Sequence, residues 1–232
     1  MIPLRDINPT ERFAIVTFLL IVLNIIVFVY ELMLGEQGIQ RFIGSFALVP
    51  NQLFSVGVVP DGSFPTAATL VTSMFLHGGI LHVAGNMLYL WIFGNNVEDA
   101  MGRMRFVVFY VLCGCIAGFT HAFMNSSSPT PLIGASGAVS GVLGGYLLLY
   151  PRARIITLII IIFYIRTIQV SALAILLFWF VLQFINALTT DGSGGGIAWY
   201  AHIAGFFSGM LLIGLFKRRD VRLWGGGRYG YS

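Results

Sequence analysis

The sequence predicts an all-α polytopic membrane protein with six transmembrane helices and a long, partly embedded loop between the first two. Composition is the first observation: 57% of the residues are hydrophobic and only 9% are charged, whereas soluble proteins carry about 25% charged residues. Length is the second, because a bilayer core about 30 Å thick needs about 20 apolar residues per helix. A chain of 232 residues with short connections therefore has room for six spans.

The first predicted span covers residues 13–33. These 21 residues are apolar apart from Thr17, Asn24 and Glu31. The segment is too long, and has the wrong ends, to be a cleaved signal peptide. Residues 1–12 are predicted to be a cytoplasmic N-terminus, and residues 13–216 to form one six-helix membrane domain.

A mixed segment, residues 34–75, follows the first span. Glycines, prolines and the sequence DGS at 61–63 are expected to interrupt any long helix, yet Phe and Leu recur throughout. A connection this long without a disordered composition is usually functional. We expect a flap beside the bundle, because irregular backbone is tolerated at membrane depth where protein or water surrounds it.

Five further spans are predicted from the remaining apolar runs, at residues 81–97, 106–123, 136–150, 171–188 and 199–216. The apolar stretch at 155–165 has only 11 residues. As a helix it would reach about 16 Å, half the core, so we expect a cytoplasmic hairpin or an interfacial piece. The glycine-rich sequence TTDGSGGG at 189–196 is predicted to be a flexible loop, and residues 217–232 a basic cytoplasmic tail.

The basic residues favour this six-span topology, since Lys and Arg concentrate on the cytoplasmic side. Six spans place both termini on that side and leave only Arg41, of the thirteen basic residues, on the outer face. The twelve others are Arg5, Arg12, Arg103, Arg105, Arg152, Arg154, Arg166, Lys217, Arg218, Arg219, Arg222 and Arg228. The net charge of +4 is thus an orientation signal, and no nucleic-acid partner is predicted.

Three polar side chains are predicted to meet at one depth. In this topology the second, fourth and sixth spans begin at the outer face, and their first turns contain His82, Ser136 and His202. Ser136 alone would be typical of a helix N-cap. Polar groups inside a membrane are costly and indicate function by default, so their convergence favours a site.

Small residues on the fourth and sixth spans predict that the two helices pack closely. On the fourth span they recur every four residues in two series, Ser136, Ser140 and Gly144, and Gly137, Gly141 and Gly145. On the sixth span they recur at the same period, at Ala201, Gly205 and Gly209. Such faces let helices approach closely, which would bring Ser136 within hydrogen-bond reach of His202. The glycines could also serve packing alone.

The fourth span is short, and this sets the depth of the serine. It has 15 residues before Pro151, about 22 Å as a helix, so the Ser136 hydroxyl is expected below the outer surface. His82, Asn86, Ser140 and the sequence NSSSPTP at 125–131 could line a water-filled cavity there.

Three motifs on these spans resemble the rhomboid intramembrane serine proteases of the prokaryotic six-transmembrane type. They are HGGILHVAGN at 77–86, GASG at 134–137 and AHIAGFFSG at 201–209, accompanied by Gly94, Glu98 and Gly102. The resemblance covers about residues 10–217. It implies a six-helix rhomboid-like bundle.

The resemblance also implies the site residues. Ser136 would be the nucleophile and His202 the general base, a dyad without an acidic member. His82 and Asn86, four apart on one helix face, would stabilise the oxyanion together with the backbone N–H of Ser136. No cofactor is implied, and with four histidines and no Cys/His cluster no metal is expected.

One position departs from part of the family. In some members an aromatic residue one turn after the nucleophile stacks on the base, and here that position is Ser140. Another group must therefore orient His202.

The predicted function is an endopeptidase that cleaves transmembrane or membrane-proximal segments of other membrane proteins, with the bilayer and those substrates as its partners. The first loop and residues 191–196 are candidates for gating access. We expect a multi-pass protein of a prokaryotic cytoplasmic membrane, with its active site open to the outer face. An inactive relative that binds transmembrane helices is the alternative. A solute transporter would need a charged or broken-helix site near the midplane, which the sequence lacks.

Overall fold

A computed structural model describes residues 2–54, 64–161, 164–189 and 199–225 of the chain. The α-helices in these residues are α1 Ile15–Met33, α2 Glu36–Phe46, α3 Pro50–Leu53, α4 Thr69–Thr72, α5 Ile80–Tyr89, α6 Asn95–Met101, α7 Arg103–Met124, α8 Ser136–Leu149, α9 Ala172–Thr189 and α10 Trp199–Phe216. The strands are β1 Ile2–Asp6, β2 Arg154–Ile161 and β3 Tyr164–Ser171. A π-helical turn, Leu90–Gly94, joins α5 to α6.

The chain is an integral membrane protein that crosses the bilayer several times. By length and apolar composition four of the described helices can span it, namely α1, α7, α9 and α10. The pair Thr66–Phe75 and Ile80–Met101, bent by 85°, makes a fifth if it counts as one element. Each predicted span coincides with helical structure, but α8 has only 14 residues. The count of six spans stays a prediction.

Helix α8 is the centre of the bundle. Twelve of its fourteen residues are buried, as expected of a helix that is apolar on all sides. Helices α7, α9 and α10 pack around it, whereas α1 and α9 leave many apolar side chains exposed. The short predicted span therefore lies inside protein, and the longer helices face the lipid.

The small-residue faces of α8 and α10 meet, as predicted. A Cβ atom added to Gly205 would lie 2.1 Å from the carbonyl oxygen of Gly137, and one on Gly209 would lie 1.9 Å from that of Gly141. These distances are far below van der Waals contact. Glycine is thus required at both positions for the observed helix separation.

The membrane-spanning elements are helical, as predicted, and a small sheet outside them accompanies the helices. Strands β1, β2 and β3 form an antiparallel sheet in that order. Around 155–165, where a hairpin or an interfacial piece was predicted, β2 and β3 pair antiparallel, with Arg154 opposite Ser171 and Ile161 opposite Tyr164. Residues 162–163 lie outside the described part of the chain. The isoleucines of β2 are β-branched, and such residues favour strands. Strand β1, near the N-terminus, pairs with the other edge of β2.

The segment between α1 and α5 contains more helix than its glycines and prolines predicted. Helix α2 has 11 residues and includes two glycines. Leu48 exchanges backbone hydrogen bonds of 3.1 and 2.7 Å with Leu132, just before α8. The loop is therefore tied to the bundle. Residues 61–63 lie outside the described part of the chain.

Glu98 fixes the start of α1 against α6. Its carboxylate accepts hydrogen bonds from the backbone N–H groups of Val16 and Thr17, at 3.1 and 2.7 Å, and from the Thr17 hydroxyl at 2.8 Å. The first N–H groups of a helix have no partner within the helix. This buried acid supplies one.

Candidate active site

Ser136 and His202 are in direct contact. Ser136 is the first residue of α8, and His202 lies in the first turn of α10. The Nε2 atom of His202 is 2.8 Å from the Ser136 hydroxyl oxygen, although the residues are 66 apart in sequence. The close approach of α8 and α10 places both side chains at the same end of the helix pair.

The other ring nitrogen of His202 faces a side-chain amide that none of the sequence motifs contains. His202 Nδ1 lies 2.8 Å from the side-chain oxygen of Gln183, on α9. An amide oxygen can only accept a hydrogen bond, so Nδ1 carries the proton. Nε2 is then the unprotonated nitrogen, able to accept the proton of the Ser136 hydroxyl.

Two tryptophans also enclose His202. The ring centroid of Trp179, one turn before Gln183 on α9, lies 6.1 Å from that of the imidazole, and Trp199 lies at the same distance nearly perpendicular to it. Ser140 donates its hydroxyl to the Ser136 carbonyl at 2.6 Å. The groups around the base therefore come from α9 and α10, and Ser140 is satisfied within its own helix.

His82 lies beside the serine, as the sequence predicted. Gly134 has a backbone φ of +120°, a conformation that side chains rarely adopt. A Cβ atom there would lie 2.7 Å from the His82 ring and 3.7 Å from the Ser136 hydroxyl. The missing side chain of Gly134 thus leaves the space that His82 occupies next to Ser136.

Asn86 is held by a chain of buried polar groups. Its side-chain nitrogen lies 3.1 Å from His77 Nε2. The backbone N–H of His77 in turn donates to the carboxylate of Glu31 on α1, at 3.2 and 3.3 Å. A side-chain amide has two N–H donors, so one remains after the contact with His77.

The contact between Ser136 and His202 is of the kind that acyl transfer requires. A hydroxyl paired with an unprotonated imidazole is the arrangement of an activated nucleophile. In the described part of the chain no group of three or more His, Cys, Asp or Glu side chains is arranged to hold a metal ion. The predicted gate at 191–196 lies outside the described residues.

Comparison with known proteins gives consistent similarities. A profile of the Rhomboid domain matches residues 65–219. Rhomboid protease GluP of Bacillus subtilis (strain 168) is 32% identical over 209 residues, which cover 88% of this chain and 36% of that protein. RHOMBOID-like protein 1 of Arabidopsis thaliana is 29% identical over 208 residues, 83% of this chain and 47% of that protein.

A shorter match is with the mitochondrial presenilin-associated rhomboid-like protein of Mus musculus, 31% identical over 88 residues, 37% of this chain and 23% of that protein. The chain spans less than half the length of each of these three relatives. The domain match alone covers well over half of the chain. The chain therefore belongs to the rhomboid family.

Proposed function

We propose that this chain is an intramembrane serine endopeptidase that cleaves transmembrane or membrane-proximal segments of membrane proteins. The 2.8 Å contact between the Ser136 hydroxyl and His202 Nε2 carries the proposal. A relative named as a protease, similar over 88% of this chain, supports it. A protein that only bound transmembrane helices would have no need of a serine paired with an oriented imidazole.

The proposed reaction begins with proton transfer to His202. Nε2 takes the hydroxyl proton as Ser136 Oγ bonds to the scissile carbonyl carbon, and the carbonyl oxygen becomes an oxyanion. Nε2 then gives that proton to the departing amine as the C–N bond breaks. Water attacks the resulting ester by the same steps and restores the serine.

Gln183 is proposed to orient the base throughout. The Nδ1–H bond to its amide oxygen fixes the ring and the tautomer, and the same oxygen faces the imidazolium that forms during each step. His82, Asn86 and the backbone N–H of Ser136 are proposed to bind the oxyanion. Donors of this kind contribute about 2.7–4 kcal/mol each to transition-state stabilisation.

The substrate must present an unwound segment. Helical amides are hydrogen-bonded within the helix and shielded from attack, so Gly, Pro or polar residues that weaken a substrate helix would favour cleavage. The family resemblance implies a small residue before the scissile bond. The site is proposed to open to the outer face of a prokaryotic cytoplasmic membrane, with both termini in the cytoplasm.

Cleavage in a reconstituted bilayer tests the proposal. The full chain is placed in liposomes with a labelled single-span substrate, and the wild type is compared with Ser136→Ala and His202→Ala. Both variants are expected to lose cleavage while folding normally. Undiminished cleavage by either variant would exclude the dyad.

A further inference from the structure

A basic cavity lies at the opposite end of the protein from the dyad. Its volume is about 260 Å³, and it opens where α1 begins and α10 ends. Three arginines from three separate segments line it: Arg12 before α1, Arg103 at the start of α7 and Arg218 just after α10. The backbone N–H of Arg218 donates to the Ala100 carbonyl at 2.9 Å, which fixes that segment against α6.

The side chains that line the cavity carry three positive and two negative charges. The two acids are Glu98 and Asp99. Glu98 uses both carboxylate oxygens to hold the start of α1, and Asp99 accepts a hydrogen bond from the backbone N–H of Glu11 at 3.2 Å. Within the described residues neither acid lies within ion-pair distance of a cavity arginine, although the charges of Arg12 and Arg218 act on the Asp99 carboxylate. Arg218 Nε lies 3.9 Å from a carboxylate oxygen of the exposed Asp220. Three guanidinium groups share the cavity with two carboxylates that also accept hydrogen bonds from the backbone at and before the start of α1.

Polar atoms buried at this cavity have no hydrogen-bond partner among the described residues. They are Nε and Nη2 of Arg218 and one carboxylate oxygen of Asp99. Buried polar groups are nearly always hydrogen-bonded, and an unsatisfied charged group is the most costly case. An anionic acceptor would complement Arg218 at this position, and a hydrogen-bond donor would complement Asp99.

The rim of the cavity is apolar and exposed. Phe13 is 64% exposed and Met104 is 76% exposed, and both line the cavity. The basic residues place this end on the cytoplasmic side of the bilayer. Apolar side chains beside guanidinium groups at a membrane boundary suit a lipid, whose phosphate enters the cavity while its acyl chains lie along α1 and α7.

We propose that this cavity binds the headgroup of an anionic phospholipid. The three arginines hold the singly charged phosphodiester, and a headgroup hydroxyl donates to Asp99. Guanidinium groups bind phosphate oxygens in a bidentate way, and basic pockets between helices on the cytoplasmic side are suited to lipid headgroups. One phosphodiester balances the net charge of the side chains that line the cavity.

Native mass spectrometry of the full chain in neutral detergent tests this site. Phosphatidylglycerol or phosphatidylcholine is added to the delipidated protein, and bound lipid is counted. The double variant Arg12→Gln/Arg103→Gln is informative because both side chains are exposed. The matched control is Arg105→Gln/Arg219→Gln, which removes two exposed arginines beside the cavity that do not line it.

The wild type and the control are expected to retain one phosphatidylglycerol in preference to phosphatidylcholine. The cavity variant is expected to bind it more weakly, by about fivefold for each charge removed. Equal binding by the cavity variant and the wild type would overturn the proposal, as would equal weakening in the control. Displacement of the lipid by an equal concentration of glycerol phosphate would show a site for free phosphate and would also overturn it.

Discussion

The Nδ1 atom of His202 lies 2.8 Å from the side-chain oxygen of Gln183. This contact joins α9 to α10 beside the serine and determines which nitrogen of the imidazole is unprotonated. Gln183 is only 8% exposed. A buried amide is costly without a partner, and His202 is that partner.

Replacing Gln183 with Leu keeps the volume of the side chain and removes the acceptor. We expect turnover of a labelled transmembrane substrate to fall about tenfold, the equivalent of one hydrogen bond near the upper end of its usual contribution. Gln183→Glu, which restores an acceptor for Nδ1–H, is expected to recover much of the lost rate.

Asn186→Ala is the control for Gln183, because it removes another amide from the same helix. It is expected to leave turnover unchanged. If Gln183→Leu and Gln183→Glu were equally slow, the contact would serve packing and would not orient the base.

Asn86 offers a test of the oxyanion site. Asn86→Ala is expected to lower kcat by about 10²–10³ and to leave KM nearly unchanged, because the donor acts in the transition state. Gly85→Ala is the matched control, since a Cβ atom there meets nothing within 4 Å. A change in KM alone would assign Asn86 to substrate binding.

The packing of α8 against α10 can be tested at Gly209. A methyl group there collides with the Gly141 carbonyl, so Gly209→Ala is expected to lower the free energy of unfolding by about 1–3 kcal/mol and to separate Ser136 from His202. Thermal unfolding and fluorophosphonate labelling measure the two effects. Gly214→Ala on the same helix has open space around its Cβ. It is expected to reduce neither the thermal stability nor the fluorophosphonate labelling.

Asp6 gives the protein a pH-dependent stability. This residue, in β1 and outside the spans, accepts hydrogen bonds from the Tyr146 hydroxyl at 3.0 Å and from the Asn96 amide. Burial raises the pKa of the Asp6 carboxyl from 3.8 to about 7. The folded state therefore binds more protons than the unfolded state between these values, and this contribution to stability falls as pH rises through that window.

Asp6→Asn keeps an oxygen acceptor and cannot ionise. The variant is expected to lose this part of the pH dependence. Its thermal midpoint, relative to that of the wild type, is expected to be higher at pH 8 than at pH 4. Thermal midpoints across this range measure it, with Glu36→Gln, on an exposed helix, as the control. A wild-type-to-variant difference that is constant with pH would contradict the assignment.

The sequence indicated most of the site because its motifs are local. Small residues at a four-residue period predicted the contact of α8 with α10, and the first turns of three spans predicted His82, Ser136 and His202 at one depth. The role of Gln183 was not predicted, because its segment is a mostly apolar run that matches none of the motifs. Its one signal was an amide in the middle of that run, where a polar group is costly.

Two parts of the fold had weaker signals. Strand β1 pairs with β2, which lies about 150 residues later in the sequence. No local sequence pattern indicates a pairing partner at that separation. Helix α2 forms despite Gly38 and Gly44, since propensity is readily overridden by context.

Fluorophosphonate labelling tests most directly whether Ser136 is an activated nucleophile, because it requires no knowledge of the substrate. The purified chain is treated with the probe, and the labelled residue is identified by mass spectrometry in the wild type, Ser136→Ala and His202→Ala. Labelling is predicted at Ser136 in the wild type, absent in Ser136→Ala and strongly reduced in His202→Ala. Equal labelling of the wild type and His202→Ala, or a label on another residue, would contradict the dyad.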